Sequence, residues 1–585
     1  MHRMTARFKT VAICVLCAVL ASCAGDGART ICVVATTDVH GCIFDKDLLT
    51  KTERPGSLAK ISTLLRSLRR ENRNVVYMDC GDNLQGSVEV YQDITAQYYR
   101  TSLPARAFNL LECDAITFGN HDLAVSPISY ERFNSELGGV PVLGGNICFN
   151  SYGDYLPVYT IIERDGVRMG VIGLVTPKVN YSIPADRLEP LSVLDPVQAA
   201  RLYVPYLKDE EKVDVVIGLM HTGCASGDEY EDGLCENSVR QIVAAVPGFD
   251  LIMYGHDHEP ACFRIADSNG DSVLVMNAGP YASAAAVATL SLEPGNDGAF
   301  KVSVQGSLTD VSGLKPDRRF MRKMSGWYKD VSHYSDSIVG TVTEPLECNG
   351  ALWRRSSSVD FMHKMQMGYF GAQISLAAPV SSNTYIPAGN VNMSDMFGVY
   401  QYDNTMVSVM LRGSEIKDVL EQSASRYYED LSKNQAHLIR MRTVPGSDVS
   451  YPEYDASGFI SAAGIVYTID VTKPCGARVE IVSMTDGKPF DPDVMYRTTI
   501  NSYLYSGSGS AVLEATGLGK KQMAARLNSS TEADIRFYMI TDLSLAREMG
   551  NVTDPGRFTN WKLVPESVVS GYLATDTVNF KLIEQ

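Results

Sequence analysis

Residues 31–40 read ICVVATTDVH: a run of apolar and β-branched residues from Ile31 to Thr37 that breaks at Asp38, Val39 and His40. Such a run reads as a strand, and the abrupt polar cluster marks its end. The same pattern returns four times. Val75 to Met78 leads into Asp79-Cys80-Gly81-Asp82-Asn83, and Ala115 to Phe118 into Gly119-Asn120-His121-Asp122. Val213 to Met220 leads into His221, and Leu251 to Tyr254 into Gly255-His256-Asp257-His258. Between the first two clusters Ile61, Leu64, Leu65 and Leu68 fall at helical spacing, which predicts an amphipathic helix. Strands alternating with helices predict an α/β core, in which ligands gather beyond the carboxyl ends of the strands, where all five clusters lie.

The bulk properties bound the rest. A chain of 585 residues is too long for one hydrophobic core, so two large domains or three ordinary ones are expected. With 45% hydrophobic and 21% charged residues the composition is globular. A formal charge of −16 repels polyphosphate backbones and excludes a nucleic-acid polymer as the main partner, while bound divalent cations can reverse the potential locally and admit small phosphorylated ligands.

At the N-terminus Arg3, Arg7 and Lys9 precede an apolar run from Val11 to Leu20, the pattern of an export signal too short to span a bilayer. Leu20-Ala21-Ser22-Cys23 looks like a bacterial lipobox, so residues 1–22 are expected to be removed and Cys23 lipidated; an ordinary secretory signal cut nearby is the alternative. Among the remaining cysteines Cys224 and Cys235 are one candidate disulfide, with buried free thiols as the other reading.

Five of the nine histidines, His40, His121, His221, His256 and His258, lie in the strand-end clusters together with Asp38, Asp82 and Asn120. This mixture of imidazole nitrogens and hard oxygens suits Zn, Mn or Fe. Any one cluster has an ordinary explanation as a loop, because Asp, Asn and Gly favour turns. Five of them, each after a strand, argue for a site. Cys80, beside the Gly81-Asp82-Asn83 turn, reads either as a redox-sensitive thiol or as a small core residue.

The order Asp-x-His, Gly-Asp-Asn, Gly-Asn-His-Asp, His, Gly-His-x-His is similar to that of the calcineurin-like metallophosphoesterases, over roughly residues 29 to 310. The resemblance implies an αββα sandwich and two divalent ions. Asp38, His40 and His258 would hold the first, Asn120, His221 and His256 the second, and Asp82 would bridge both. It also implies that His121 acts on the phosphate or leaving oxygen, oriented by Asp122.

Residues 345–585 resemble the C-terminal domain of the 5'-nucleotidase family, through Ile386-Pro387-Ala388-Gly389-Asn390, Tyr402-Asp403-Asn404-Thr405, Leu411-Arg412-Gly413-Ser414-Glu415-Ile416 and Asn501-Ser502-Tyr503. That match implies a nucleobase stacked between Tyr402 and Tyr503 and hydrogen-bonded by Asn404. Two departures bear on the substrate. Where 5'-nucleotidases carry Asn-x-Gly-Gly-Ile-Arg, this chain has Ala377-Ala378-Pro379-Val380-Ser381-Ser382, an Ala-Pro version that looks like the 2',3'-cyclic-nucleotide branch. After Tyr503 stands Leu504-Tyr505-Ser506-Gly507-Ser508-Gly509-Ser510, which alters the polar groups of that loop.

The expected organisation is therefore a signal peptide at 1–22, a phosphoesterase domain at 29–312, a charged, helix-compatible linker at 313–344 and an α/β substrate domain at 345–585. The expected function is hydrolysis of nucleotides by a lipid-anchored enzyme of the bacterial cell envelope, first as a 2',3'-cyclic-nucleotide 2'-phosphodiesterase/3'-nucleotidase. A 5'-nucleotidase or other phosphate-ester hydrolase is the alternative within the class. A surface lipoprotein that only binds nucleosides or a host partner is the alternative outside it.

Overall fold

The computed structural model describes residues 27–95, 101–149, 153, 155–295, 299–348, 350–431, 435–443, 450–507 and 511–581. The expected signal peptide, the lipidation site Cys23 and the loop residues Ser508 to Ser510 lie outside them. Among the described residues no helix is long and apolar enough to cross a membrane.

The first part of the chain builds two six-stranded sheets. One runs in the order Phe300–Asp310, Ala284–Pro294, Arg29–Thr36, Val75–Asp79, Ala115–Thr117, Val142–Leu143. The other runs Ala261–Ala266, Ser272–Asn277, Leu251–Tyr254, Val215–His221, Val167–Val175, Tyr159–Arg164. Alternate residues of the quoted strand explain the layering, because a strand turns successive side chains to opposite faces. Ile31, Val33 and Ala35 meet Val171, Ile217 and Met253 of the other sheet in one apolar layer. Val34 turns outward to Ile61, Leu64 and Leu65 of the helix Leu58–Glu71, at the spacing read from the sequence. On the far side Ile172 and Val216 pack under Val204 and Leu207 of Pro196–Asp209 and Ile242 of Val239–Ala245. The result is four layers, helices outside and two sheets inside.

The charged stretch after residue 312 forms the helices Arg318–Lys323 and Ser325–Asp336. Asp317 caps the first of them through the Arg319 amide at 2.7 Å and accepts from Ser62 and Arg66 at 3.2 Å each, which seats the segment on the first domain.

The second half has a five-stranded mixed sheet in the order Ser461–Ala463, Ile374–Ala377, Met495–Asn501, Thr405–Arg412, Leu527–Asp534. Behind it lies the helix Gly413–Tyr427, with Ile416, Val419 and Leu420 buried. The two halves share a continuous apolar cluster in which Phe44 and Tyr91 join Met396, Phe397 and Ile535. Through it passes the fully buried Arg536. Its guanidinium lies 4.3 Å from the Tyr91 ring and 3.9 Å from the Phe397 ring, donates to the Tyr400 carbonyl and pairs with Asp403. Asp186 accepts from the amide and hydroxyl of Ser530, and Lys520 pairs with Asp228, two further contacts between the halves.

Candidate metal centre

The carboxyl ends of parallel strands from both sheets meet at one end of the sandwich. Asp38 and His40 follow Arg29–Thr36, and Asp82 follows Val75–Asp79. Asn120 and His121 open the short helix Asn120–Ala124, His221 ends Val215–His221, and His256 and His258 follow Leu251–Tyr254. The backbone is forced into shape here: Asp38, His40, Asp82, His256 and His258 all have positive φ, between 49° and 88°. Non-glycine residues persist in that region only where their surroundings dictate it, and such strain gathers at functional sites. Two glycines make the approach possible. A Cβ on Gly119 would stand 2.0 Å from Asp82 Oδ1, and one on Gly255 would stand 1.8 Å from Thr37 Oγ1 and 2.6 Å from Asp38 Oδ2.

Each donor has one side tied down and the other aimed inward. Asp38 Oδ2 accepts from Thr37 Oγ1 at 2.6 Å and from the His256 amide at 3.1 Å. Asp38 Oδ1 lies 3.3 Å from His258 Nε2 and 3.9 Å from His221 Nε2. Asp82 Oδ1 accepts from the His121 amide at 2.8 Å, leaving Oδ2 3.1 Å from His221 Nε2. His40 and His221 use Nδ1 on the carbonyls of Gln85 (2.8 Å) and Cys80 (2.7 Å). The Nε2 atoms of His40 and His258 stand 3.2 Å apart. Two groups of donors, Asp38 with His40 and His258, and Asp38 with Asp82 and His221, have the spacing needed to hold an ion.

Burial decides whether cations fit. Asp38, Asp82 and His221 are buried, and Asp38 Oδ1, His221 Nε2 and Asn120 Oδ1 have no hydrogen-bond partner. Buried polar atoms without partners are costly, so such atoms on candidate ligands mark a place for an electrophile. The electrostatics agree. Burial pushes the Asp38 carboxyl up, but the His258 imidazole beside Oδ1 and the other nearby imidazoles outweigh it and hold it at about 2. Burial likewise pulls the His221 imidazole down, and Asp82 and Asp38 overcome this to bring it to about 10. The site demands positive charge, and the mixed N/O set suits a divalent transition ion or zinc.

Asp122 does not orient His121, contrary to expectation. Its Oδ1 accepts from the amides of Asn83 (2.7 Å) and Leu84 (2.9 Å), and its Oδ2 from those of Asp82 and Gly119 (2.8 Å each). Both oxygens are spent on the backbone of the Asp82 loop, so Asp122 shapes the site from behind. The partner of His121 is Gln85, whose Oε1 lies 2.6 Å from Nδ1. Gln85 thus holds His40 with its carbonyl and His121 with its side chain. Cys80 is a core residue, its thiol pushed well up by burial, and Cys224 and Cys235 are free thiols without a bridge.

Two further residues escaped sequence reasoning. Glu236 Oε1 lies 3.0 Å from His256 Nε2 and 2.5 Å from Lys178 Nζ. Tyr281, with φ 62°, donates its amide to the Asp38 carbonyl and sets its ring 5.7 Å from His40 and 6.0 Å from His258. Neither sits in a strand-end motif; the one local clue was Glu236 in a loop otherwise rich in Asp, Asn, Gly and Ser.

In the second domain the Tyr402 loop enters Thr405–Arg412 and the short helix Ser502–Ser506, which carries Tyr503, follows Met495–Asn501; the two strands are antiparallel neighbours with Met406 opposite Asn501. Tyr402 and Tyr503 are half exposed, at 51% and 48%. The side chains of Asn404 and Asn501 both donate to the Tyr400 hydroxyl, at 3.3 and 3.2 Å, so the Asn404 amide nitrogen serves the protein and fastens the two loops together. Burial raises the Tyr281 phenol pKa, and Cys42, Asp38 and Tyr402 add to the shift.

Known proteins share this layout. Residues 32–260 match the calcineurin-like phosphoesterase family and residues 338–515 the 5'-nucleotidase C-terminal domain. The chain is 24% identical over 598 residues to the 2',3'-cyclic-nucleotide 2'-phosphodiesterase/3'-nucleotidase of Haemophilus influenzae, covering 91% of this chain and 87% of that protein. It is 26% identical over 538 residues to the trifunctional nucleotide phosphoesterase protein YfkN of Bacillus subtilis, covering 82% of this chain but only 36% of that longer protein. Among solved structures, a proposed 5'-nucleotidase from Staphylococcus aureus shares the fold, with a TM-score of 0.68 at 20% identity over 92% of this chain and all of the other.

Proposed function

For a chain that joins a calcineurin-like phosphoesterase domain to a 5'-nucleotidase C-terminal domain, we propose hydrolysis of nucleoside phosphoesters, with 2',3'-cyclic nucleotides and 3'-nucleotides as the first substrates. One observation carries the reading: carboxylates and imidazoles from both sheets of the first domain stand at metal-holding spacing, in a chain whose second domain carries the half-exposed Tyr402 and Tyr503. The Ala377-Ala378-Pro379 segment and the named relatives support the cyclic-nucleotide branch over the 5'-nucleotidases.

Asp38, His40 and His258 would hold one divalent ion, Asn120, His221 and His256 a second, with Asp82 between them. When bound, two such ions supply a hydroxide near neutral pH and neutralise the phosphoryl oxygens. The protein's own groups do the rest. Gln85 Oε1 accepts from His121 Nδ1 and leaves Nε2 as the atom that holds or gives a proton at the leaving oxygen. Tyr402 and Tyr503 would take the base between their rings, a contact worth about 1–3 kcal/mol per base and tolerant of base identity. Export through the N-terminal signal and anchoring by Cys23 would place the enzyme in the bacterial cell envelope.

The test is phosphate release from 2',3'-cyclic, 3'- and 5'-nucleotides with Mn²⁺ and Zn²⁺, on the wild type and on His121→Asn. Loss of a preorganised transition-state donor costs about 3 kcal/mol, so His121→Asn should lose a hundredfold or more in kcat with its metals retained. Turnover of 5'-nucleotides alone would move the substrate assignment, and nucleoside binding without any turnover would leave a binding protein.

A further inference from the structure

We propose that Glu236, held by Lys178, is a positioning residue that decides which nitrogen of His256 is offered to the metal centre. The proposal rests on the two-metal reading above and extends it to a residue outside the strand-end motifs.

Three histidines of the centre are wired in two different ways. His40 and His221 give Nδ1–H to the carbonyls of Gln85 and Cys80, so Nε2 is the nitrogen left for the centre, and it is Nε2 that faces Asp38, Asp82 and His258. His256 is reversed. Its Nε2 lies 3.0 Å from a carboxylate oxygen of Glu236, which can only accept when ionised, so the hydrogen is on Nε2 and the lone pair on Nδ1. Among the described residues Nδ1 has no hydrogen-bond partner, and the ring lies beside His221, centroids 5.3 Å apart. A carboxylate on the outer nitrogen fixes the tautomer and ring direction of a ligating imidazole and makes it more basic than a carbonyl does.

Glu236 is itself built to stay in place. The same Oε1 takes Lys178 Nζ at 2.5 Å, and Oε2 accepts the Asp228 amide at 3.2 Å. The Glu236 carbonyl accepts the hydroxyls of Thr176 (2.7 Å) and Thr222 (2.8 Å). Its side chain is only 13% exposed. An acidic group held at this many points, beside an imidazole with a free inner nitrogen, is placed for that imidazole.

Chelator competition with Zn²⁺ on purified wild type, Glu236→Ala and Glu236→Gln tests this, together with the melting temperature of each protein stripped of metal. Wild type should bind two ions. Glu236→Ala should weaken one of them by about 10- to 100-fold and leave the other unchanged, since outer partners of ligating histidines carry effects of that size. Its metal-free melting temperature should match wild type. Glu236→Gln keeps an acceptor oxygen and should recover part of the loss. Wild-type affinity for both ions in Glu236→Ala, no recovery in Glu236→Gln, or equal weakening of both sites with a lower metal-free melting temperature would each overturn the proposal. A wild type that binds fewer than two ions would instead refute the two-metal reading, a result distinct from any change confined to the variants.

Discussion

Asp122→Ala separates a catalytic carboxylate from a structural one. In the wild type four buried amides, those of Asp82, Asn83, Leu84 and Gly119, donate to this one side chain at 2.7 to 2.9 Å. Each buried donor left without a partner costs about 1–3 kcal/mol. Water entering the space left by the carboxylate would satisfy some of them, so the low end applies and the loss is about 4 kcal/mol. At roughly 2 °C per kcal/mol for a domain of this size, the metal-free protein should melt about 8 °C lower. Asp122→Asn should fall between, because its amide nitrogen would face two N–H donors that the oxygen had satisfied. Differential scanning calorimetry of the stripped protein is the assay, with zinc content and kcat measured alongside. In the double variant with His121→Asn, the thermal loss should persist in full, since His121 takes no part in it. An unchanged metal-free melting temperature, with kcat reduced no further in the double variant than in His121→Asn alone, would refute the clamp and restore a role through His121.

Gly119→Ala should bind metal weakly, because the added Cβ would stand 2.0 Å from Asp82 Oδ1 and must displace it; two tightly held ions on metal analysis would contradict this. Tyr503→Ala should raise KM for nucleotides while sparing a simple aryl phosphate diester, since stacking holds ground and transition states about equally; equal impairment of both substrates would make the tyrosine structural. Burial raises the Asp534 carboxyl to about 6 against the pull of Arg536. An acid whose pKa is raised on folding gives stability that is complete below its unfolded pKa near 3.8 and lost as pH rises through about 6. Asp534→Asn should therefore flatten the fall in melting temperature across that window, and an unaltered pH profile would show that Asp534 does not cause it.

Much of the first domain was legible because the information is local. The strand from Ile31, the helix with Ile61, Leu64, Leu65 and Leu68 on one face, and the polar breaks at Asp38, Asp82, Asn120, His221 and His256 depend on periods of two or 3.6 residues and on what ends them. In the second domain the helix Gly413–Tyr427 and the strand Met495–Asn501 follow the same local periods. Partnerships were not legible. Asp122 follows His121 directly, and adjacency suggested contact, yet helix geometry sends neighbouring side chains in different directions and this one into the Asp82 loop. Asn404 looked free to meet a base, and the Asn501 loop, nearly a hundred positions away, brings both amides to the Tyr400 hydroxyl.

The chain by itself determines the kind of donors and their order, because each cluster is written immediately after the strand that carries it. Only the tertiary structure decides which atom of each donor faces inward. Nε2 rather than Nδ1 at His40 and His221, and the reversed His256, follow from hydrogen bonds made with groups outside each histidine's own cluster. Those groups, Cys80, Gln85 and Glu236, reach the site only when two sheets stack and their loops interlock. Likewise the two halves, distant in sequence, are joined by the apolar cluster and the buried Arg536. Long-range packing sets side-chain direction, and no local period encodes it.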